Sequence, residues 1–150
     1  MTVDLCSRPR DIVSAARTWL GTPYRHQASC KGVGADCLGL VRGVWRDVLG
    51  DEPEQPPPYS ADWAEATGDE RLLKAAHKLL TRVREEDAFA GDVLLFRMID
   101  RGPAKHVAIL TSTRLDDGQI IHAYSGHAVC ETRLTTAWRR RLAGVFRFPE

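Results

Sequence analysis

The sequence predicts an α+β domain, with N-terminal helices packed on a C-terminal, mostly antiparallel β-sheet. Apolar residues recur at helical spacing in the first half of the chain, and from Gly91 onward the pattern changes to short β-like runs. Helices gathered before strands, rather than alternating with them, favour α+β over α/β. The length of 150 residues suits one domain with its own core, so residues 1–150 are read as a single unit.

The first helix is expected over 11–20, with Asp11 as N-cap and Ile12, Ala16, Trp19 and Leu20 on one face. Gly21 and Pro23 stop it. Thr22 to Ala35 reads as a loop without secondary structure, rich enough in tyrosine, histidine, cysteine and glycine to be functional. The second helix runs from near Asp36 to about Leu49, with Leu38, Val41, Trp45, Val48 and Leu49 inward and Gly50 closing it. Gly39 and Gly43 lie inside that helix. Glycine there costs up to about 1 kcal/mol, so a close packing contact, expected against the sheet, should compensate. Residues 51–60 read as an extended loop, and Asp62 as the cap of a short turn. A third helix is expected at 69–82, with Leu72, Ala75, Ala76, Leu79 and Leu80 inward. Strands follow at 93–96, 106–111, 119–124, 128–134 and 143–148, with Trp138 on a helical turn before the last.

Composition narrows the function classes. Net charge is +1, so neither nucleic acid nor an anionic membrane is indicated as a partner. No apolar run approaches the roughly 20 residues of a spanning helix, and the first ten residues carry no apolar signal core. The expectation is a product made in the cytoplasm without a signal peptide. Of the four cysteines, none forms a C-x-x-C pair, which argues against structural zinc and thiol redox chemistry. Cys6 and Cys130 read as packed thiols, and a disulfide between Cys30 and Cys37 is a minor alternative. His26, His77 and His127 read as solvent or loop histidines.

Cys37 falls at the start of the second helix, where free N–H groups and the helix dipole favour a thiolate and lower the cysteine pKa. Such a nucleophile needs a base, and a third group to orient the base. His106 opens a strand, and His122 lies in the next one with the same parity. If the two face each other directly, paired positions sum to 228. Ala108 then meets Ile120, Leu110 meets Gly118, and the loop is long, roughly Thr111 to Asp117. Rings on opposite faces of the sheet would rule the arrangement out. Cys37 as a buried structural thiol, the histidines as sheet residues, Asp36 as a helix cap and Tyr24 as a packed loop aromatic are the structural alternatives.

At these residues the sequence resembles the NlpC-type cysteine peptidases, bacterial and phage cell-wall hydrolases with a reduced papain-like fold. The matching pieces are W-L-G-T-P-Y-R (19–25), G-A-D-C-L-G-L-V (34–41), G-D-V-L-L-F (91–96), H-V-A-I-L (106–110) and I-I-H-A (120–123), in the family's order. The form T-P-Y-R-H-Q…D-C-L-G-L is most similar to members encoded in phage and gene-transfer-agent tail modules. The resemblance implies Cys37 as nucleophile, His106 as base and His122 as the orienting residue. It implies Tyr24 near the oxyanion and Asp36 holding a substrate amine. It further implies that no cofactor or metal is required, that peptidoglycan stem peptides are the substrate, and that tail-hub or baseplate proteins are partners which carry the enzyme to the envelope of a target bacterium. Leu38 departs from the serine that follows the nucleophile in many members, and the paired glycines usual after T-P-Y are absent. Two further readings stay open: a structural tail-hub protein with a vestigial site, and another acyl-transfer enzyme on the same fold.

Overall fold

In the computed structural model, which describes residues 7–56 and 70–150, the first helix, α1, spans Ser7–Thr18 and so begins before Asp11. Pro9 breaks the apolar pattern yet fits the first turn, where its missing N–H leaves no intrahelical bond unmade. Ile12, Ala16 and Trp19 are buried, whereas Leu20 is exposed beyond the helix end. Gly21 turns the chain at a φ of 84°. The expected cap at Asp62 and the packed thiol at Cys6 lie outside the described residues.

The segment 22–35 is not without secondary structure. Strands β1 (Ser29–Cys30) and β2 (Gly34–Ala35) form a small antiparallel hairpin, and Tyr24 makes a parallel bridge to Ala35. Helix α2 follows at Cys37–Leu49, and Gly50 leaves it at a φ of 94°. The two interior glycines meet the loop and Trp19, just past the end of α1, rather than the sheet. A Cβ on Gly39 would lie 1.8 Å from the Ala28 carbonyl oxygen, and one on Gly43 would lie 2.0 Å from Trp19 Cζ2. Trp19 is held there by its Nε1–H, which donates to Asp47 Oδ2 at 3.0 Å.

Helix α3 spans Arg71–Leu79, shorter than the expected 69–82. Leu72 and Ala76 are buried but Ala75 is exposed. At Leu80 the backbone turns extended (φ −123°, ψ 168°) and enters β3 (Thr81–Val83), an edge strand where the spacing predicts helix. The remaining strands are β4 (Val93–Arg97), β5 (Ala104–Leu110), β6 (Gln119–His122), β7 (Cys130–Arg133) and β8 (Leu142–Arg147). A short helix, α4 (Thr136–Arg140), carries Trp138 before β8.

The six-stranded sheet has the order β3-β8-β4-β5-β6-β7, with every pairing antiparallel. It is buried on both faces, which explains the unbroken apolar run of β4. Val93, Leu95, Val107, Ile109, Ile121 and Phe146 pack against Ile12, Leu40 and Val44 of the helices and against Trp19. On the other face Leu94, Phe96, Ala108, Leu110, Ile120 and Val145 pack with Leu115 and Leu134, and Trp138 lies against them.

The β5–β6 register differs from the expected one by two residues. Ile109 pairs with Ile121 and Leu110 with Ile120, so Ala108 does not meet Ile120. Thr111 N–H donates to the Gln119 carbonyl at 2.8 Å, carrying the ladder one step further. The loop is accordingly 112–118. It is closed by Gly118 N–H on the Leu115 carbonyl and Gln119 N–H on Ser112 Oγ, with Asp117 at a φ of 54°. A shift of two preserves parity, so both histidines stay on one face.

Candidate active site

Cys37 is the first residue of α2, and Asp36 is its N-cap. Asp36 Oδ1 accepts the Gly39 N–H at 2.7 Å, and Oδ2 accepts the Gln27 N–H at 2.8 Å. Its carboxylate, only 3% exposed, thereby ties the loop to the helix start, with His26 Nδ1 a further 3.9 Å away. The cap alone is worth about 1 kcal/mol. Both oxygens are committed to main-chain donors, so the cap reading of Asp36 has direct geometric support.

The β5–β6 ladder stops at Ile109, which leaves the start of β5 without β6 partners. The Cys37 side chain meets that open edge. Its Sγ lies 3.9 Å from the Lys105 carbonyl oxygen, to which the thiol donates, and the Val107 N–H points back at the sulfur. The nucleophile candidate thus touches the main chain on either side of His106. Among the described residues no hydrogen bond joins the thiol to an imidazole. Burial, reinforced by the Asp36 carboxylate, pushes the Cys37 thiol up to about 12. The N–H groups of Val107, Leu38 and Cys37 itself oppose this without winning. The expected lowering by the helix start is therefore overturned: desolvation outweighs the helix N–H groups. Cys37 is nevertheless half-buried as a residue and not sealed off from a substrate.

His106 and His122 are joined directly, with His106 Nε2 2.9 Å from His122 Nδ1. Both are buried, at 5% and 4% exposure. Burial lowers His106 to about 3, with His122 adding to it. Burial likewise lowers His122 to about 4, with His127 as the lesser cause. Both rings are therefore neutral at neutral pH. On the far side His122 Nε2 lies 3.1 Å from Thr132 Oγ1. The Trp138 ring stacks on His106 with centroids 5.1 Å apart and planes at 30°. Phe96 and Tyr124 complete the aromatic wall, at 6.0 and 5.8 Å from His106.

Tyr24 is half-buried and near enough to Cys37 and Asp36 to feel their charge. Arg25 N–H donates to the Ala35 carbonyl and Ala35 N–H to the Pro23 carbonyl, which brackets Tyr24 along β2. Gly21 and Thr22 exchange hydrogen bonds with Val129, tethering this loop to the β6–β7 connection. Burial raises the Tyr24 pKa, as do Cys37 and Asp36 by their charge, while a hydrogen bond with Ser125 opposes the shift. Sequence reasoning named no role for Thr132, Trp138, Tyr124 or Ser125. Thr132 is found only through the β6–β7 register, which pairs His122 with Cys130, two residues before it.

Among the described residues no group of three or more His, Cys, Asp or Glu side chains converges as a metal ion requires. Cys30, Cys37 and Cys130 are free thiols. The chemistry on offer is that of a thiol beside a hydrogen-bonded pair of neutral imidazoles.

Comparison with known proteins places the chain by sequence and by fold. A curated relative, the gamma-DL-glutamyl hydrolase of Bacillus subtilis (strain 168), is 26% identical over 138 residues. That match takes in 91% of this chain but 29% of the relative, so the chain spans under a third of that protein's length. The NlpC/p60 domain of the peptidoglycan hydrolase SagA superposes with a TM-score of 0.63 at 24% identity, covering 93% of this chain and 98% of that one. An NlpC/P60 family protein from Bacillus cereus ATCC 10987 superposes with a TM-score of 0.65 at 22% identity, covering 93% and 40%. These structures share the fold. Residues 21–147 match the model of the NlpC/P60 family, and this chain belongs to that family.

Proposed function

We propose that this protein is a peptidoglycan endopeptidase that cleaves an amide of the stem peptide through a Cys37 thioester. The observation that carries the reading is the 2.9 Å bond from His106 Nε2 to His122 Nδ1, set where Cys37 meets the main chain flanking His106. With Nε2 engaged, Nδ1 is the ring nitrogen of His106 left to take a proton. A thiol held high and an imidazole held low favour a neutral resting pair over an ion pair. Proton transfer then accompanies attack.

In this mechanism Cys37 Sγ bonds to the carbonyl carbon while its proton passes to His106 Nδ1. The oxyanion is met by the Cys37 N–H and the Tyr24 hydroxyl. The C–N bond breaks, His106 returns the proton to the leaving amine, and an acyl thioester remains. Water gives a proton to His106 as it attacks; the acid leaves and the thiol is restored. His122 orients His106 throughout. Asp36 holds the helix start, and it would also take a substrate amine if one displaced the Gln27 N–H.

The relative named for gamma-DL-glutamyl hydrolysis supports a γ-D-glutamyl acyl donor. The motif T-P-Y-R-H-Q…D-C-L-G-L supports a place in a phage-like tail, beside hub or baseplate proteins, acting at the envelope of a target bacterium. Mass spectrometry of digested peptidoglycan tests the bond. New γ-D-glutamyl carboxyl termini are expected, and cleavage elsewhere in the stem would refute that acyl donor. Absence of the protein from purified particles would refute the tail role.

A further inference from the structure

His106, His122 and Thr132 form a chain of polar contacts that runs from β5 across β6 to β7. The first link is 2.9 Å and the second 3.1 Å. A neutral imidazole has one N–H and one lone pair, so the chain runs in one of two directions. In one, Thr132 donates to His122 Nε2 and His122 Nδ1–H donates to His106 Nε2. The remaining proton of His106 then sits on Nδ1, and no lone pair faces outward. In the other, His106 Nε2–H donates to His122 Nδ1, and His122 Nε2–H donates to Thr132 Oγ1. Only this second direction leaves the His106 Nδ1 lone pair free to accept a proton. It is also the only one that survives protonation, because an imidazolium donates from both nitrogens.

We infer that Thr132 is a positioning residue that holds His122 as its Nε2–H tautomer and so keeps His106 Nδ1 basic. The inference rests on the proposed role of His106. Thr132 meets His122 and acts through it. Its hydroxyl oxygen accepts a hydrogen bond from the His122 Nε2–H, so the ring need not change tautomer when His106 becomes charged. Ser at this place retains the acceptor; Val has the same shape and lacks it.

The test pairs Thr132→Val with Thr132→Ser and reads ring-nitrogen NMR and muropeptide turnover. The chain has five histidines, few enough to assign. In the wild type His122 should show a protonated Nε2 and an unprotonated Nδ1. In Thr132→Val that preference should be lost, and kcat should fall about 5- to 10-fold, the worth of one such hydrogen bond, with KM little changed. Thr132→Ser should restore both. An unchanged tautomer in Thr132→Val overturns the inference, as does a kcat loss that serine fails to restore. Should the protein cleave no muropeptide, the proposed function fails, while the NMR comparison still decides the role of Thr132.

Discussion

His106 and His122 touch through a 2.9 Å ring contact although they do not oppose each other in the sheet. The β5–β6 ladder pairs Ile109 with Ile121 and goes no further towards His106. The imidazoles therefore join the two strands diagonally, where main-chain pairing has ended and α2 inserts Cys37. One opening in the sheet both admits the thiol and leaves the histidines to hold each other.

Burying two neutral imidazoles makes stability depend on pH. The unfolded chain binds protons on both rings below about 6.5, whereas the folded chain resists until about 4 for His122 and about 3 for His106. The stability present above pH 6.5 is lost as pH falls through that window. By pH 5 the loss should reach about 2 kcal/mol for each ring. Urea midpoints at pH 7.5 and pH 5 should show it, and in His122→Ala the difference should shrink by about half. Equal midpoints in the wild type would contradict neutral burial.

Asp36 raises the pKa of Cys37 and also caps α2. Asp36→Asn removes the charge while keeping an oxygen for the Gly39 N–H. Alkylation of Cys37 at pH 8, read site by site by mass spectrometry, should become several-fold faster. The exposed Cys30 serves as internal reference. Stability should fall by about 1–2 kcal/mol, because the Gln27 N–H loses its charged acceptor. Slower alkylation would contradict the Asp36 charge as a cause of the raised Cys37 pKa.

Gly39→Ala should be among the most damaging substitutions outside the thiol and imidazoles. Its Cβ has backbone, the Ala28 carbonyl, only 1.8 Å away, and a main-chain group cannot swing aside as a side-chain end can. A loss of about 3 kcal/mol or more is expected in thermal or urea unfolding. Refolding that did occur would displace the loop bearing Tyr24 and raise KM. A variant as stable as the wild type would contradict the close approach.

Much of this architecture was legible because periodicity reports which face a residue takes. The helix from Cys37 to Leu49, the five strands after Gly91 and the shared face of His106 and His122 all follow from spacing. Strand β3 was not legible: Thr81, Arg82 and Val83 form an edge with little apolar burial, next to a helical pattern that runs into them. The register was missed because parity constrains it only to steps of two. Thr132 and Trp138 depend on that register and on α4 folding back over the sheet, relations that no local pattern encodes. The direction of the Cys37 shift was hidden for the same reason. A helix start is visible in sequence, but the packing that desolvates the sulfur is not.

In the proposed mechanism the thiol of Cys37 does the chemistry, and muropeptide turnover by Cys37→Ala is the measurement that decides it. The variant should fold as the wild type does, judged by circular dichroism, and release no new peptide termini in mass spectra. Turnover at the wild-type rate by folded Cys37→Ala would rule out Cys37 as the nucleophile.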